Sequence, residues 1–239
     1  LRRYVDQVAG ALDLGRACAR LLFMQSSGGL TDARRFQGKD AILSGPAGGI
    51  VGMVKTGEAA GHTRLIGFDM GGTSTDVSAV DGERGLEHKF ETTVAGVRVR
   101  APILDIHTVA AGGGSVCAFA QGSRFEVGPK SVGASPGPLC YGAADAEALS
   151  VTDVNLCLGR LVPDRFPFAL DVDRPKRALE SIAHQSGRTL EAAGAGFLAV
   201  ANATMADAIS RITLGRGVDA SKLSLVVLGG AGGQHACAV

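Results

Sequence analysis

The sequence predicts a mixed α/β domain: a sheet of antiparallel hairpins extended by parallel strands and flanked by helices. Three observations carry this. Leu65–Asp81 reads LIGFDMGGTSTDVSAVD, an apolar run, a tight glycine turn and a second β-branched run. Short alternating runs separated by turn signals follow, up to Val127. Two long helical patterns and one late apolar strand, Leu223–Leu228, close the chain.

The elements follow in order. Leu1–Leu12 is a helix, with Tyr4, Val5, Val8 and Leu12 at helical spacing. Arg20–Met24 is a short strand, and Gln25–Gly29 is the loop at its C-terminal end. Thr31 or Asp32 caps the turn that follows. Ala41–Leu43 reads as another brief strand. A helix then runs to about Ala60, with Pro46 in its first turn. Its Gly48, Gly49 and Gly52 cost roughly 0.8–1 kcal/mol each relative to Ala, which close backbone packing or a hinge would offset. Gly85–Thr93 and Val97–Arg100 are strands after the Asp81-Gly82 turn. Leu104–Val109 alternates and places Asp105, His107 and Val109 on one face. Val116–Phe119 and Arg124–Val127 form a hairpin around Gln121-Gly122. Gly128–Gly142 is a Pro/Gly-rich loop. Thr152–Leu161, Arg174–Gln185 and Thr189–Leu214 are helices. No internal repeat is present.

Composition bounds the function. With 239 residues the chain is long enough for a sizeable core. Its formal net charge of +1 and the absence of Trp argue against nucleic acid and against an anionic membrane surface. No run of about 18 apolar residues suggests a membrane span. Five scattered cysteines, odd in number and without CxxC spacing, read as reduced thiols in a cytoplasmic protein. Glycine is the outlier at 35 residues, and it bunches at Gly45–Gly52, Gly71–Gly72, Gly112–Gly114 and Gly229–Gly233. The chain starts in an apparent mid-helix and ends in an apolar run, so the expectation is a piece of a longer protein.

The turn inside Leu65–Asp81 has the parts of a phosphate site. Gly71 and Gly72 let backbone N–H groups approach an anion. Thr73, Ser74 and Thr75 add hydroxyl donors. Asp69 and Asp76 flank the turn and can hold a hard cation through oxygen or water. No Lys follows the glycines, so charge neutralisation falls to Mg²⁺ rather than to a P-loop lysine. The alternative is a Gly-Gly turn with polar residues facing water. Gly229, Gly230 and Gly232, after the last strand, are a second candidate nucleotide contact. A dinucleotide fingerprint is not expected there, because the βαβ unit it needs is longer than the six residues that follow the cluster. A plain strand-to-helix glycine turn stays open. Asp105 and His107 could bind a second divalent metal or substrate, or His107 could be a hydrogen-bonded core histidine. His235 is a weaker candidate of the same kind. Asp153, Asn155 and Arg160 read as a polar network supporting the glycine loops.

Six motifs carry a resemblance: MQSSGGL at 24–30, LSGPAGGIVG at 43–52, FDMGGTSTDV at 68–77, DIHTVAAGGGS at 105–115, TDVNLCLGR at 152–160 and VLGGAGGQHA at 227–236. In this order, across nearly the whole chain, they resemble the hydantoinase A/5-oxoprolinase family, whose fold is actin-like (ribonuclease H-like). The resemblance implies one lobe of an actin-like ATPase, with 1–60 as lead-in and connecting helix and 61–239 as the phosphate-turn and nucleotide lobe. It implies that FDMGGTSTDV is the second phosphate motif, GPAGG the first connecting helix and GGAGG the adenosine motif. Asp69 and Asp76 then serve Mg·ATP. The implied activity couples ATP cleavage to opening of a cyclic amide such as 5-oxoproline or a hydantoin. Two other readings remain: an ATP-dependent ketone carboxylase subunit, and a non-enzymatic nucleotide-gated actin-like protein. The implied partners are an N-terminal lobe and C-terminal part of the same protein and a hydantoinase B-type subunit or domain. The first phosphate motif is absent, so this stretch alone is expected to be inactive.

Overall fold

The computed structural model describes residues 1–12, 20–82, 85–94, 96–120 and 124–239. The expected turn at Gln121-Gly122, and Cys18, lie outside the described residues.

The helices are α1 (Arg2–Ala11), α2 (Gly38–Ala41), α3 (Ser44–Ala59), α4 (Val151–Cys157), α5 (Asp173–Ser186) and α6 (Leu190–Leu214). The strands are β1 (Leu22–Met24), β2 (Leu30–Asp32), β3 (Arg64–Met70), β4 (Thr75–Asp81), β5 (His88–Lys89), β6 (Thr92–Val94), β7 (Val97–Val99), β8 (Ile103–Leu104), β9 (His107–Val109), β10 (Ser115–Ala120), β11 (Arg124–Ser131) and β12 (Ser224–Leu228). The largest sheet has the order β12-β3-β4-β9, with β4 and β9 antiparallel, and two-stranded pairs make up the rest. The fold is therefore mixed α/β, as expected. The two apolar runs at Leu65–Phe68 and Leu223–Leu228 are neighbours in one sheet.

The chain divides into two compact units. The first comprises Leu1–Gly67, Ser78–Ile106 and Lys222–Val226. Here α3 packs on β1 and β3. A Cβ on Gly57 would meet Leu65 at 2.5 Å, and one on Gly67 would meet the Met53 sulfur at 2.5 Å. The close approach in the glycine-rich helix thus falls at Gly57, and Gly52 has nothing within 4 Å. Phe23 stacks on Phe36 at 4.9 Å beside Val5 and Ala33.

The second unit comprises Phe68–Val77, His107–Ser221 and Val227–Val239. The α6 helix is its spine and packs on α4, α5, β9 and β11. Thr189 caps it, accepting from the Ala192 N–H at 3.2 Å. Gly194 and Gly196 admit Leu158 and the Phe125 ring against the helix backbone. By length and composition α6 could cross a bilayer, a run the sequence reading passed over. Its Ala193, Phe197, Leu198, Ala201 and Met205 are buried in the unit's core.

Three expected elements differ. Ala41–Leu43 is no strand: Gln37 and Asp40 form a capping box, and the chain coils into α2. Gly85–Thr93 is not one strand but the short β5 and the start of β6. Leu104–Val109 is not continuous either. It breaks at Asp105–Ile106, where β8 pairs with β5 and β9 pairs with β4.

Candidate functional site

The second unit brings three of the glycine clusters together. β3 ends at Met70, and β4 starts at Thr75. Between them the Gly71 N–H donates to the Ser74 carbonyl at 3.0 Å and closes the turn. The N–H groups of Gly72, Thr73 and Ser74 have no hydrogen-bond partner among the described residues. Gly112–Gly114 lies flat on this turn. Gly113 and Gly114 donate to the carbonyls of Gly71 and Gly72 at 3.0 and 2.5 Å. A Cβ on Gly112 would sit 2.7 Å from the Thr73 backbone, so only glycine permits this backbone-on-backbone contact. At Gly229 the chain leaves β12 with φ +79°, and a Cβ there would strike the Met70 carbonyl and lie 2.6 Å from Asp69 Oδ1. The Ala231 N–H donates to that same Met70 carbonyl at 3.1 Å.

The three segments border a cavity of about 250 Å³. It is lined by Gly71, Gly72, Gly113, Gly230 and Ala231, by the polar residues Thr152 and Gln234, and by Tyr141, Leu161 and Phe166.

The two carboxylates sit on adjoining strands. Burial and, secondarily, the neighbouring Asp76 push the Asp69 carboxyl above the usual carboxylate range. Asp76 accepts from Thr108 Oγ1 at 2.5 Å. Neither carboxylate has an ion-pair partner among the described residues. Of the three hydroxyls, Thr73 is exposed and Ser74 half-buried, whereas Thr75 is fully buried. Thr75 Oγ1 donates to the Ala111 carbonyl at 2.5 Å, so it ties the Gly112–Gly114 segment to β4 instead of facing the turn's surface.

Asp105 and His107 are not brought together by a shared strand. Asp105 lies in the first unit, 2.5 Å from Lys89 Nζ, and His107 opens β9 opposite Val77 in the second. Among the described residues no group of three or more His, Cys, Asp or Glu side chains is arranged to hold a metal.

A buried polar scaffold stands behind the cavity, built on α4. Asp153 is fully buried and accepts from the Leu139, Cys140 and Ser150 N–H groups at 3.1, 2.8 and 2.9 Å and from Ser150 Oγ at 2.7 Å. It therefore fixes the turn that carries Tyr141. Thr152 donates to the Gly113 carbonyl through both its N–H, at 2.7 Å, and its hydroxyl, at 2.9 Å. Arg160 donates to the Gln234 carbonyl at 3.2 Å. His235 is fully buried, with Nδ1 2.7 Å from Asn202 Oδ1 and Nε2 3.1 Å from Asn155 Nδ2. With both nitrogens engaged, it is a structural histidine rather than a free ligand. Burial pushes the Cys117 and Cys140 thiols up, which disfavours the thiolate a nucleophile needs.

His235 has a pH consequence. Burial first, and Arg160 second, hold its pKa down to about 4. Between pH 6.5 and 4 the unfolded chain binds a proton that the folded chain refuses. Stability is then complete above pH 6.5 and falls as the pH drops toward 4, by at most about 1.4 kcal/mol per unit. Thermal unfolding followed from pH 7 to 4 is expected to show this loss, and His235→Gln is expected to flatten it.

Tyr141, Leu161 and Phe166 were not singled out from sequence. The Pro/Gly-rich 128–142 loop concealed Tyr141, and the aromatic pair in Phe166-Pro-Phe168 was the signal available for the rest.

In this α/β fold the Gly71–Ser74 turn is flanked by two carboxylates, Asp69 and Asp76, and borders a cavity walled by backbone and uncharged side chains. Residues 1–239 match the model of the hydantoinase/oxoprolinase family, and the chain belongs to that family. It is 46% identical over 248 residues to 5-oxoprolinase 1 of Arabidopsis thaliana, a match covering 95% of this chain and 19% of that protein. Its structure is similar to the nucleotide-free acetone carboxylase solved in work on ATP-dependent acetone carboxylation, with a TM-score of 0.86 and 26% identity over 98% of this chain and 33% of that one. It is also similar to the ATP-dependent caprolactamase of Pseudomonas jessenii, with a TM-score of 0.84 and 31% identity over 99% of this chain and 35% of that one. The chain thus spans about a fifth of the length of the oxoprolinase it matches.

Proposed function

We propose that this chain supplies one face of an ATP site in an enzyme that couples ATP cleavage to the opening of a cyclic amide. The observation that carries the reading is the convergence of Gly71–Ser74, Gly112–Gly114 and Gly229–Ala231 beside two carboxylates that have no basic partner among the described residues. The similarity to a 5-oxoprolinase and a caprolactamase, both named for cyclic amides, supports the substrate class.

Within this proposal the Gly72, Thr73 and Ser74 N–H groups and the Thr73 and Ser74 hydroxyls receive phosphate oxygens. Gly230 and its neighbours approach the nucleoside. The donor set suits Mg²⁺, because two oxygen ligands without a competing cation match a hard ion that keeps most of its waters. When bound, Mg²⁺ would neutralise charge on the phosphates. Asp69 and Asp76 hold its water shell or orient the attacking group. An amide carbonyl is a poor electrophile, and phosphorylation of its oxygen creates a leaving group. The remaining phosphate donors, the closure that excludes water and the hydantoinase B-type partner belong, in this proposal, to the rest of a longer cytoplasmic enzyme.

The likeness to acetone carboxylase supports a second reading, ATP-dependent carboxylation of a ketone. ATP cleavage by the complete enzyme, measured against 5-oxoproline, hydantoins, lactams and ketones with bicarbonate, separates the two. Stimulation by a cyclic amide with ring-opened product is expected. Stimulation by ketones alone would replace this reading with the second.

A further inference from the structure

We propose that Thr108 is a positioning residue for Asp76: its hydroxyl fixes the carboxylate and decides which of the two oxygens is left to hold a metal-bound water. This rests on the ATP-site reading above. Thr108 acts through Asp76 and touches neither the nucleotide nor the metal.

The register of two strands makes the pair. β4 and β9 run antiparallel, with Thr75 opposite Val109, Asp76 opposite Thr108 and Val77 opposite His107. Side chains alternate along β4, so Thr75 and Val77 are fully buried, while Asp76 between them is half-buried and its partner Thr108 is exposed. Directly opposed residues of an antiparallel pair have Cβ atoms about 4.5–5.5 Å apart, close enough for a hydroxyl to reach a carboxylate. Thr108 Oγ1 donates to Asp76 Oδ1 at 2.5 Å, the short end of the range for a hydroxyl on a charged oxygen. A hydroxyl has one proton to give, so Thr108 holds only one of the two oxygens. Asp76 Oδ2 has no hydrogen-bond partner among the described residues.

The strands do not need this bond to stay in register. Thr75 Oγ1 already donates to the Ala111 carbonyl, and Gly113 and Gly114 donate to the carbonyls of Gly71 and Gly72. A bond between an exposed hydroxyl and a half-buried carboxylate also adds little to folding, because water offers both groups similar bonds. Its consequence is for the carboxylate's freedom. The terminal torsion of an aspartate is broad and roughly two-fold, so an untethered Asp76 exchanges its oxygens. A threonine is a stiff tether, since its branched Cβ restricts χ1 in a strand. Mg²⁺ demands near-ideal octahedral geometry and keeps several waters, so the carboxylates that receive those waters must hold one orientation. Partners that orient such carboxylates commonly matter about 10- to 100-fold in metal affinity or activity.

The test is a double-mutant cycle on the complete enzyme. Thr108→Val keeps the branched shape and removes the proton donor, and Thr108→Ser keeps the donor. Affinity for Mn²⁺ in place of Mg²⁺ is read by electron paramagnetic resonance with a non-hydrolysable ATP analogue bound. ATP cleavage is followed across a Mg²⁺ titration. Thr108→Val is expected to weaken Mn²⁺ binding and to raise the Mg²⁺ needed for half-maximal cleavage, each by about tenfold. Its nucleotide-free melting temperature is expected to stay within about 2 °C of wild type. Thr108→Ser is expected to lie within about threefold of wild type in both metal readouts. In an Asp76→Asn background, Thr108→Val is expected to change cleavage by less than about twofold, because the hydroxyl has lost the group it acts through. Wild-type metal affinity in Thr108→Val would overturn the proposal and leave an ordinary cross-strand contact. An undiminished effect of Thr108→Val on top of Asp76→Asn would also overturn it. Should Thr108→Val fail to fold, Thr108→Ala carries the same cycle. If Asp76→Asn alone keeps wild-type metal affinity and cleavage, the ATP-site reading has failed rather than the role of Thr108.

Discussion

Asp69→Asn in the complete enzyme is expected to slow ATP cleavage by at least about a hundredfold, and Asp76→Asn by a similar factor. That is the scale on which loss of a positioned acid–base or charge-stabilising group is felt. Both carboxylates flank a turn with three unpartnered N–H groups, and neither has a basic neighbour among the described residues. The same substitution should act oppositely on stability. Burial and Asp76 raise the Asp69 pKa, so the folded chain holds a proton that the unfolded chain releases. Stability therefore falls as the pH rises through the window between the ordinary carboxylate value and the raised one. Asp69→Asn removes that penalty, and the nucleotide-free variant is expected to melt at or above the wild-type temperature at pH 7. Loss of activity with undiminished stability would mark a functional carboxylate, whereas wild-type cleavage in both Asn variants would remove this turn from the site.

The second large effect is expected from Gly229→Ala. A side chain at φ +79° costs about 1–2 kcal/mol before any contact is considered. The added methyl group also meets the Met70 carbonyl and Asp69 Oδ1, which are backbone and site rather than the far end of a flexible side chain. Overpacking of this kind adds about 1–3 kcal/mol. The melting temperature should fall by several degrees for a chain of this length. ATP cleavage should fall more than stability alone explains, because any relief moves Asp69. The neighbouring Gly230→Ala is the control: nothing lies within 4 Å of a Cβ there, and its stability should change by less than about 1 kcal/mol.

The sequence made the glycine turns and the flanking carboxylates of the candidate site legible and hid the aromatic lining of the cavity. Gly71–Gly72 and Gly229–Gly233 follow apolar strands, and glycine there has few other purposes than turns and close approach. That local chemistry was sufficient to find them. The role of Gly112–Gly114 as the layer lying on the Gly71–Ser74 turn depended on the pairing of β4 with β9, a long-range register that no local pattern specifies. Thr75 shows the limit of counting hydroxyls. In a strand, successive side chains alternate, so Thr75 turned inward to Ala111 while Asp76 faced Thr108. The alternation in Leu104–Val109 was real but did not guarantee one strand, because Asp105 paired with Lys89 and the chain changed partners at Ile106. The long helical patterns of α5 and α6 were placed to within a residue or two. The brief Ala41–Leu43 run was not, since three apolar residues carry no period and the Gln37–Asp40 capping box decided the conformation.

The most direct measurement is a crystal structure of the complete enzyme with Mg²⁺ and a non-hydrolysable ATP analogue. The account predicts phosphate oxygens within hydrogen-bond reach of the Gly72, Thr73 and Ser74 N–H groups, with a hydrated metal ion beside Asp69 and Asp76. A triphosphate bound elsewhere, with this turn and both carboxylates facing only water, would contradict it.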